Sequence, residues 1–297
     1  MFEKSVIREF SDSTAVITGA ASGMGYAFAE RFAAEGMNVV LADIETEALQ
    51  AAVSRLERQE RSVVGIEVNT MQRESVESLR DQAIDRFGNV HVLCNNAGVT
   101  SSEDGGTRNL WEIPNSTWDW VLGVNFYGVL YAIQAFLPHM VEHGEPGHVV
   151  NTCSVGGIVA GSGAYSASKH GVLSLSEGLY LDLRASDSKI SASALCPGLV
   201  KTNLLNAERN RPDQFGGPAE HTQENFAAEM MWDDAMDPSN VASLVWDAIV
   251  NDTFYILPHP GFDEIVRDRV DRILSRSAPE PLDFADLARR RAAGELV

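Results

Sequence analysis

Thr14-Ala15-Val16-Ile17-Thr18-Gly19-Ala20-Ala21-Ser22-Gly23-Met24-Gly25 joins a short apolar run to a glycine-spaced turn and the start of a helical pattern. Thr14–Thr18 reads as a strand, and residues 23–36 read as the helix that follows. Three glycines let the backbone turn sharply and come close to a pyrophosphate. The helix N-terminus then offers unpaired N–H groups and the positive end of its dipole to that anion. The spacing is Gly-x-x-x-Gly-x-Gly rather than Gly-x-Gly-x-x-Gly. A glycine cluster alone also suits an ordinary tight turn. The strand before it and the helix after it favour the phosphate reading.

The alternation continues outward from this turn. Strands are expected at Asn38–Asp43 and at residues 62–68, 90–94, 148–153, 190–196 and 254–257. Helices are expected at residues 45–60, 74–87, 117–142, 164–185 and 239–251, with Gly88 ending one and Ser116 a possible cap of another. Continuous apolar strands such as Val39-Val40-Leu41 fit a parallel sheet covered on both faces. The expected fold class is therefore α/β: a Rossmann-like, doubly wound parallel sheet of about seven strands with helices on both faces. No repeat or low-complexity linker interrupts it, so residues 1–297 are expected to form a single dinucleotide-binding and catalytic domain. Residues 203–237, rich in Gly, Pro, Asn, Glu and Met, are too long for a simple connector and are expected to form a substrate lid. Phe226, Met230, Met231 and Trp232 could give that lid an apolar ceiling, or could be ordinary core residues. Residues 258–297 form a C-terminal extension, in which 285–293 reads as a charged helix at the surface or at a subunit contact.

Asp43 ends the second strand, 18 residues after Gly25. A carboxylate there can accept from the ribose hydroxyls of an adenosine and would repel a 2′-phosphate. It could equally cap the next helix. No Arg or Lys lies in the glycine turn or immediately after Asp43, so NAD is expected over NADP.

Tyr165 and Lys169 stand four residues apart at the start of a helix and share one face. A nearby ammonium favours the phenolate and lowers the phenol's pKa, so such a tyrosine can take a proton from an alcohol or give one to a carbonyl. Ser154 lies 11 residues upstream, just past a strand, where its hydroxyl could hold a substrate oxygen or simply serve the turn. Asn125 is a polar residue within an apolar helix, consistent also with a buried amide.

Net charge is −19, which argues against nucleic acid and anionic lipid as partners. No apolar run reaches about 18 residues, so no membrane span is expected, and the N-terminus does not read as a secretory signal. Cys94, Cys153 and Cys196 sit in apolar strand-like segments as expected free thiols, which points to the reducing cytoplasm. No metal site is expected.

Taken in order, these residues resemble the short-chain dehydrogenase/reductase family over roughly residues 10–260, joined by Asn95-Asn96-Ala97-Gly98 and Pro197-Gly198-Leu199-Val200-Lys201-Thr202. The resemblance implies a catalytic set of Asn125, Ser154, Tyr165 and Lys169. It implies a cofactor site drawn from Gly19, Ser22, Gly23, Met24, Gly25, Asp43, Asn69, Asn96, Gly98, Tyr165, Lys169, Pro197, Val200 and Thr202. Within it, Asn96 would touch the adenine-side ribose, while the Val200 backbone and the Thr202 hydroxyl would hold the nicotinamide carboxamide. Asn125 would open its helix and hold a water of a proton relay. Two departures matter. Asn69 stands where the family often has Asp, and the stretch from Ser154 to Tyr165 is shorter than usual, with Thr152 the alternative to Ser154. Residues 118–128, Pro146-Gly147-His148 and Tyr255-Ile256-Leu257-Pro258-His259-Pro260 are also similar in part to Cα-dehydrogenases of β-aryl ether lignin dimers.

The expected function is an NAD(P)-dependent oxidoreductase that interconverts a secondary alcohol and a ketone, with a bulky aromatic or alicyclic small-molecule substrate. The pocket is expected from residues 99–106, 155–164 and the lid. A catalytically weak NAD/NADH-sensing protein of the same fold is the alternative from another class, and the Tyr165–Lys169 pair argues against it. A dehydratase or epimerase usually needs a larger sugar-nucleotide domain than the chain after Cys196 provides. The resemblance further implies a homodimer or homotetramer through helices 117–142 and 164–185.

Overall fold

The computed structural model describes residues 7, 10–104, 108–218, 235–280 and 289–290. Its strands are β1 (Thr14–Thr18), β2 (Asn38–Asp43), β3 (Val63–Glu67), β4 (Val92–Asn95), β5 (Gly147–Thr152), β6 (Ile190–Leu195) and β7 (Tyr255–Ile256). They form one parallel sheet in the order β3-β2-β1-β4-β5-β6-β7. This is the expected doubly wound architecture. Parallel neighbours need a crossover, and the intervening α1 (Gly23–Ala34), α2 (Thr46–Glu57) and α3 (Arg73–Phe87) supply the first ones. Further helices are α4 (Asn115–Leu122), α5 (Gly128–Glu142), α6 (Gly163–Ala185), α7 (Pro238–Asn251) and α8 (Asp263–Ser275).

Side chains of period two divide the core between the faces of the sheet. Ala15, Ile17, Val39 and Leu41 pack with α1, α2 and α7 on one side. Val16, Val40 and Ala42 pack with α3, α5 and α6 on the other. The β1 residues are all buried, so the strand reads as a continuous apolar run. Burial of this kind contributes about 25 cal/mol per Å² of apolar surface. Gly88 ends α3 with φ 76°, as its position after Phe87 suggested.

The helix expected at 117–142 is broken. A π-turn, Gly123–Tyr127, separates α4 from α5, and Pro114 rather than Ser116 stands at the N-cap. The combined run Asn115–Glu142 is long and apolar enough, by length and composition alone, to cross a membrane, a test that a buried core helix also passes. Half of its most apolar window is buried, with Val129, Ala132, Ile133, Phe136 and Met140 in the core against the sheet. Helix α8 has no counterpart among the expected elements. Of the charged helix expected at 285–293, only Arg289 and Arg290 fall among the described residues.

Candidate active site

The crossovers change sides between β1 and β4, and a cleft opens beyond the carboxyl ends of these strands. Gly19 takes φ 67°, and a Cβ there would stand 2.8 Å from the Ala97 Cα. A Cβ at Gly25 would lie 2.1 Å from the Gly19 carbonyl oxygen. Gly23 takes φ 55° and faces Thr202 across the cleft, where a Cβ would lie 3.0 Å from the Thr202 Cγ2. Helix α1 begins with no acidic residue in its first turn, and the Ser22 side chain does not cap it. A cradle that excludes Cβ atoms and ends in uncapped helix N–H groups fits a pyrophosphate.

The Asp43 carboxylate accepts the Ala21 N–H at 2.9 Å and the Glu45 N–H at 3.0 Å. Burial pushes its pKa up, while these main-chain donors oppose the rise. Asp43 thus ties the glycine turn to the entry of α2 and still lines the cleft. Asn96 also lines the cleft, but its amide is used internally: Nδ2 donates to the Thr18 and Gly19 carbonyls at 3.1 and 3.3 Å, and Oδ1 accepts the Thr152 hydroxyl at 3.5 Å. That amide braces the turn from below, while Asn96 keeps its place in the cleft wall. The Asn69 Oδ1 accepts the Met71 N–H at 3.0 Å, so one of its two lone pairs is already engaged.

At the other end of the cleft the Ser154 hydroxyl stands beside the Tyr165 ring, a Cβ at Gly156 lying 3.5 Å from both Ser154 Oγ and Tyr165 Cε1, and it donates to the Pro197 carbonyl at 3.5 Å. Ser154 is fixed by accepting the Gly156 N–H at 3.0 Å at the start of the short 3-10 turn Val155–Gly157. The Thr152 hydroxyl instead meets Asn96, and the Thr152 carbonyl accepts Lys169 Nζ at 2.9 Å. The geometry therefore favours Ser154 over Thr152 as partner of the phenol. Lys169 Nζ lies 5.7 Å from the centre of the Tyr165 ring. Burial lowers the lysine to about 8. Burial also raises the Tyr165 phenol, and the neighbouring Ser154 hydroxyl only partly offsets this. The lowering expected from Lys169 does not appear, because the ammonium sits over the ring and on the Thr152 carbonyl.

Gly19, Ser22, Gly23, Met24, Asp43, Asn69, Asn96, Gly98, Ser154, Tyr165, Lys169, Pro197, Val200 and Thr202 all line this one cleft. Gly25 and Asn125 lie behind it. The Asn125 amide bridges the Val99 N–H and C=O at 2.8 and 2.9 Å and donates to the Ser168 hydroxyl at 3.1 Å. It does so from within the π-turn, as a residue that opens its helix would. Val200 pairs with Met236 in an isolated parallel bridge, and Thr202 caps the 3-10 segment Asn203–Asn210 by accepting the Leu204 N–H.

Several residues of the site lie in stretches marked in the sequence, but their individual roles carried no signal there. The Asp104 carboxylate accepts the Tyr165 N–H at 2.6 Å and fills the space beside Gly163, whose φ is 84°. It thereby holds the first turn of α6. His259 clasps the 197–202 loop through Gly198 N–H to Nδ1 at 3.0 Å and Nε2 to the Leu199 carbonyl at 3.1 Å. Arg269 on α8 donates to the Ile158 carbonyl at 2.7 Å, so the extension braces the 155–162 wall. Arg211, 7% exposed, donates to Glu103, Glu208 and Thr117, while Glu208 accepts the Ser101 hydroxyl at 2.6 Å. Val99, Trp120, Val121, Ala164 and Ala207 form an apolar cluster beside Tyr165. Arg209, far from the glycine turn and Asp43 in sequence, comes to the adenosine end of the cleft through Glu45. Phe226, Met230, Met231 and Trp232 lie outside the described residues, as do residues 105–106 of the expected pocket wall.

A family model described as short chain dehydrogenase matches residues 13–213. A 1-deoxy-11-beta-hydroxypentalenate dehydrogenase of Streptomyces exfoliatus is 35% identical over 272 residues, covering 90% of this chain and 91% of the relative. A C alpha-dehydrogenase of Sphingobium sp. is 30% identical over 284 residues, covering 93% of this chain and 90% of the relative. Among solved structures, a short chain dehydrogenase/reductase from Burkholderia phymatum in complex with NAD is similar with a TM-score of 0.86 at 40% identity, covering 93% of this chain and all of that one.

Proposed function

Because this chain belongs to the short-chain dehydrogenase family, we propose that it interconverts a bulky secondary alcohol and its ketone with NAD as cofactor. The observation that carries this reading is that Ser154, Tyr165 and Lys169 line the same cleft as the glycine cradle. Bound nicotinamide would accept or supply the hydride. Tyr165 takes the proton from the substrate hydroxyl, and Ser154 holds the substrate oxygen beside it. Lys169, over the Tyr165 ring and on the Thr152 carbonyl, reaches the nicotinamide ribose. Asn125 positions the Val99 backbone and the Ser168 hydroxyl beneath this pair. The glycine turn and the α1 N-terminus hold the pyrophosphate, and Asp43 holds the adenosine ribose. The 197–202 loop, with Pro197, Val200 and Thr202, holds the carboxamide. Asn69 and Gly98 line the remaining wall.

The substrate class follows from the apolar cluster beside Tyr165 and from relatives named for a pentalenate alcohol and for C alpha oxidation. We also propose that residues 203–237 act as the lid of this single domain. A homodimer or homotetramer in a reducing cytoplasm fits the exposed Tyr127, Val141 and Leu181 and the three buried free thiols. Sedimentation as a monomer at micromolar concentration would remove the assembly.

The test of the activity is a panel of aromatic and alicyclic secondary alcohols with NAD or NADP, followed by the absorbance of reduced nicotinamide. Turnover with NAD, faster than with NADP, is expected. Tight cofactor binding without turnover of any alcohol or ketone would replace the enzyme with a cofactor sensor.

A further inference from the structure

We infer that Glu45 is a specificity-determining residue: it engages the Arg209 guanidinium at the adenosine end of the cleft and so withholds it from a 2′-phosphate. The inference rests on the proposed dinucleotide site. It gives that site a discriminating element besides Asp43, assembled from two distant parts of the chain.

Glu45 stands at the entry of α2, two residues past Asp43, while Arg209 arrives from Asn203–Asn210, 164 residues later. The contact is a two-pronged fork. Arg209 Nη2 donates to Oε1 at 2.5 Å and Nε to Oε2 at 3.2 Å. Asn210 Nδ2 adds a third donor to Oε1 at 2.9 Å. The remaining prong of the arginine, Nη1, donates to the Asn206 and Asn203 carbonyls at 2.6 and 3.1 Å. Burial pushes the Glu45 carboxyl up, but the hydrogen bonds from Arg209 and Asn210 outweigh it and hold its pKa low. Glu45 is therefore a carboxylate near neutral pH.

Asp43, Glu45, Arg209 and Asn210 all line the cleft, and among its described lining residues the only other lysine or arginine is Lys169, at the catalytic end. Two carboxylates against one guanidinium leave this corner negative by one charge. A guanidinium fork matches phosphate as well as carboxylate, so an arginine here would ordinarily be read as a 2′-phosphate ligand. Its fork is already filled by Glu45. The side chains of the pair are 29% and 28% exposed, so the guanidinium is within reach of solvent and of a phosphate once Glu45 loses its charge.

The experiment measures dissociation constants rather than turnover. NADH and NADPH are titrated by nicotinamide fluorescence, and adenosine 2′,5′-bisphosphate against 5′-AMP by calorimetry, with the wild type, E45Q, R209Q and E45Q/R209Q. E45Q should lower the NADPH-to-NADH ratio of dissociation constants by about tenfold or more, the effect of one new guanidinium–phosphate pair, and the double variant should return it to near the wild-type ratio. An unchanged ratio in E45Q overturns the inference. So does a double variant that keeps the whole improvement, because loss of carboxylate repulsion would then suffice. A wild type that binds NADPH more tightly than NADH also overturns it. If the wild type binds neither dinucleotide nor either adenosine fragment, the dinucleotide site itself falls, a failure distinct from a changed ratio.

Discussion

On the adenosine side of the cleft, residues 14–43 do most of the shaping with backbone. Gly19 and Gly23 take positive φ, Gly25 admits the Gly19 carbonyl, and Asp43 is held by two main-chain N–H groups. On the substrate side, shape comes from side chains far apart in sequence. Arg211 ties Glu208 to Glu103 and Thr117, Glu208 ties to Ser101, and Asp104 holds the Tyr165 N–H. The first construction depends on steric permission, so it fails when an atom is added. The second depends on buried charge, which adds little net stability while intact and costs much when half of it is removed.

The largest expected effect is at the junction of the two sides. Tyr165→Phe should lower kcat about a thousandfold, the range of a general acid–base, while NADH still binds and the melting temperature holds. Retention of more than about a tenth of kcat would remove the acid–base role. Next is Arg211→Met, which strands Glu208 and Glu103. It should cost about 3–5 kcal/mol in urea unfolding and raise KM for the ketone far more than the dissociation constant of NADH. Equal rises would mean that the two sides are one construction.

His148 lies in the sheet that both sides share. It is buried, its Nε2 is 2.7 Å from the Ser193 hydroxyl, and burial lowers it from about 6.5 to about 4. Between these values the unfolded chain binds a proton that the folded chain refuses. Stability is therefore complete above about 6.5 and is lost as pH falls toward 4, by up to about 3 kcal/mol. His148→Asn should flatten that slope in urea titrations at several pH values, and activity and cofactor binding should be lost together on acidification of the wild type. A parallel slope in the variant would exclude His148 as the source. The smallest effect is Gly25→Ala, where a Cβ would meet the Gly19 carbonyl. It should cost about 1–3 kcal/mol and weaken NADH binding, with substrate-side packing left intact. Unaltered NADH affinity would show that the turn relaxes freely.

The same contrast explains what was legible in the sequence. Strand β1, the glycine turn, Asp43 and the Tyr165–Lys169 spacing are local patterns, and each lies where its period or conformation requires. Strand ends elsewhere shifted by a residue or two, since pairing rather than propensity ends a strand. The uses of Asn96, Asp104, Arg209, Glu208 and Arg211 were not legible. Their partners lie many residues away, and nothing in a surface-like stretch such as Glu208-Arg209-Asn210-Arg211 distinguishes a solvated arginine from one that is 7% exposed. The break at Gly123–Tyr127 left no mark in the apolar pattern, because a π-turn keeps helical composition, and only the resemblance, through Asn125, pointed to it.

That π-turn is, in effect, a one-residue insertion in a helix. Each residue advances a helix by about 100°, so the segments on either side are out of phase with a continuous repeat. Trp120 and Val121 of α4 face the apolar cluster beside Tyr165, whereas Val129, Ala132, Ile133, Phe136 and Met140 of α5 face the sheet. A single run thus serves two cores whose directions no uninterrupted helix would reconcile. Deleting one residue from this turn would restore regular winding and force a choice between the cores, making the length of the turn, rather than any one side chain in it, the feature least open to change.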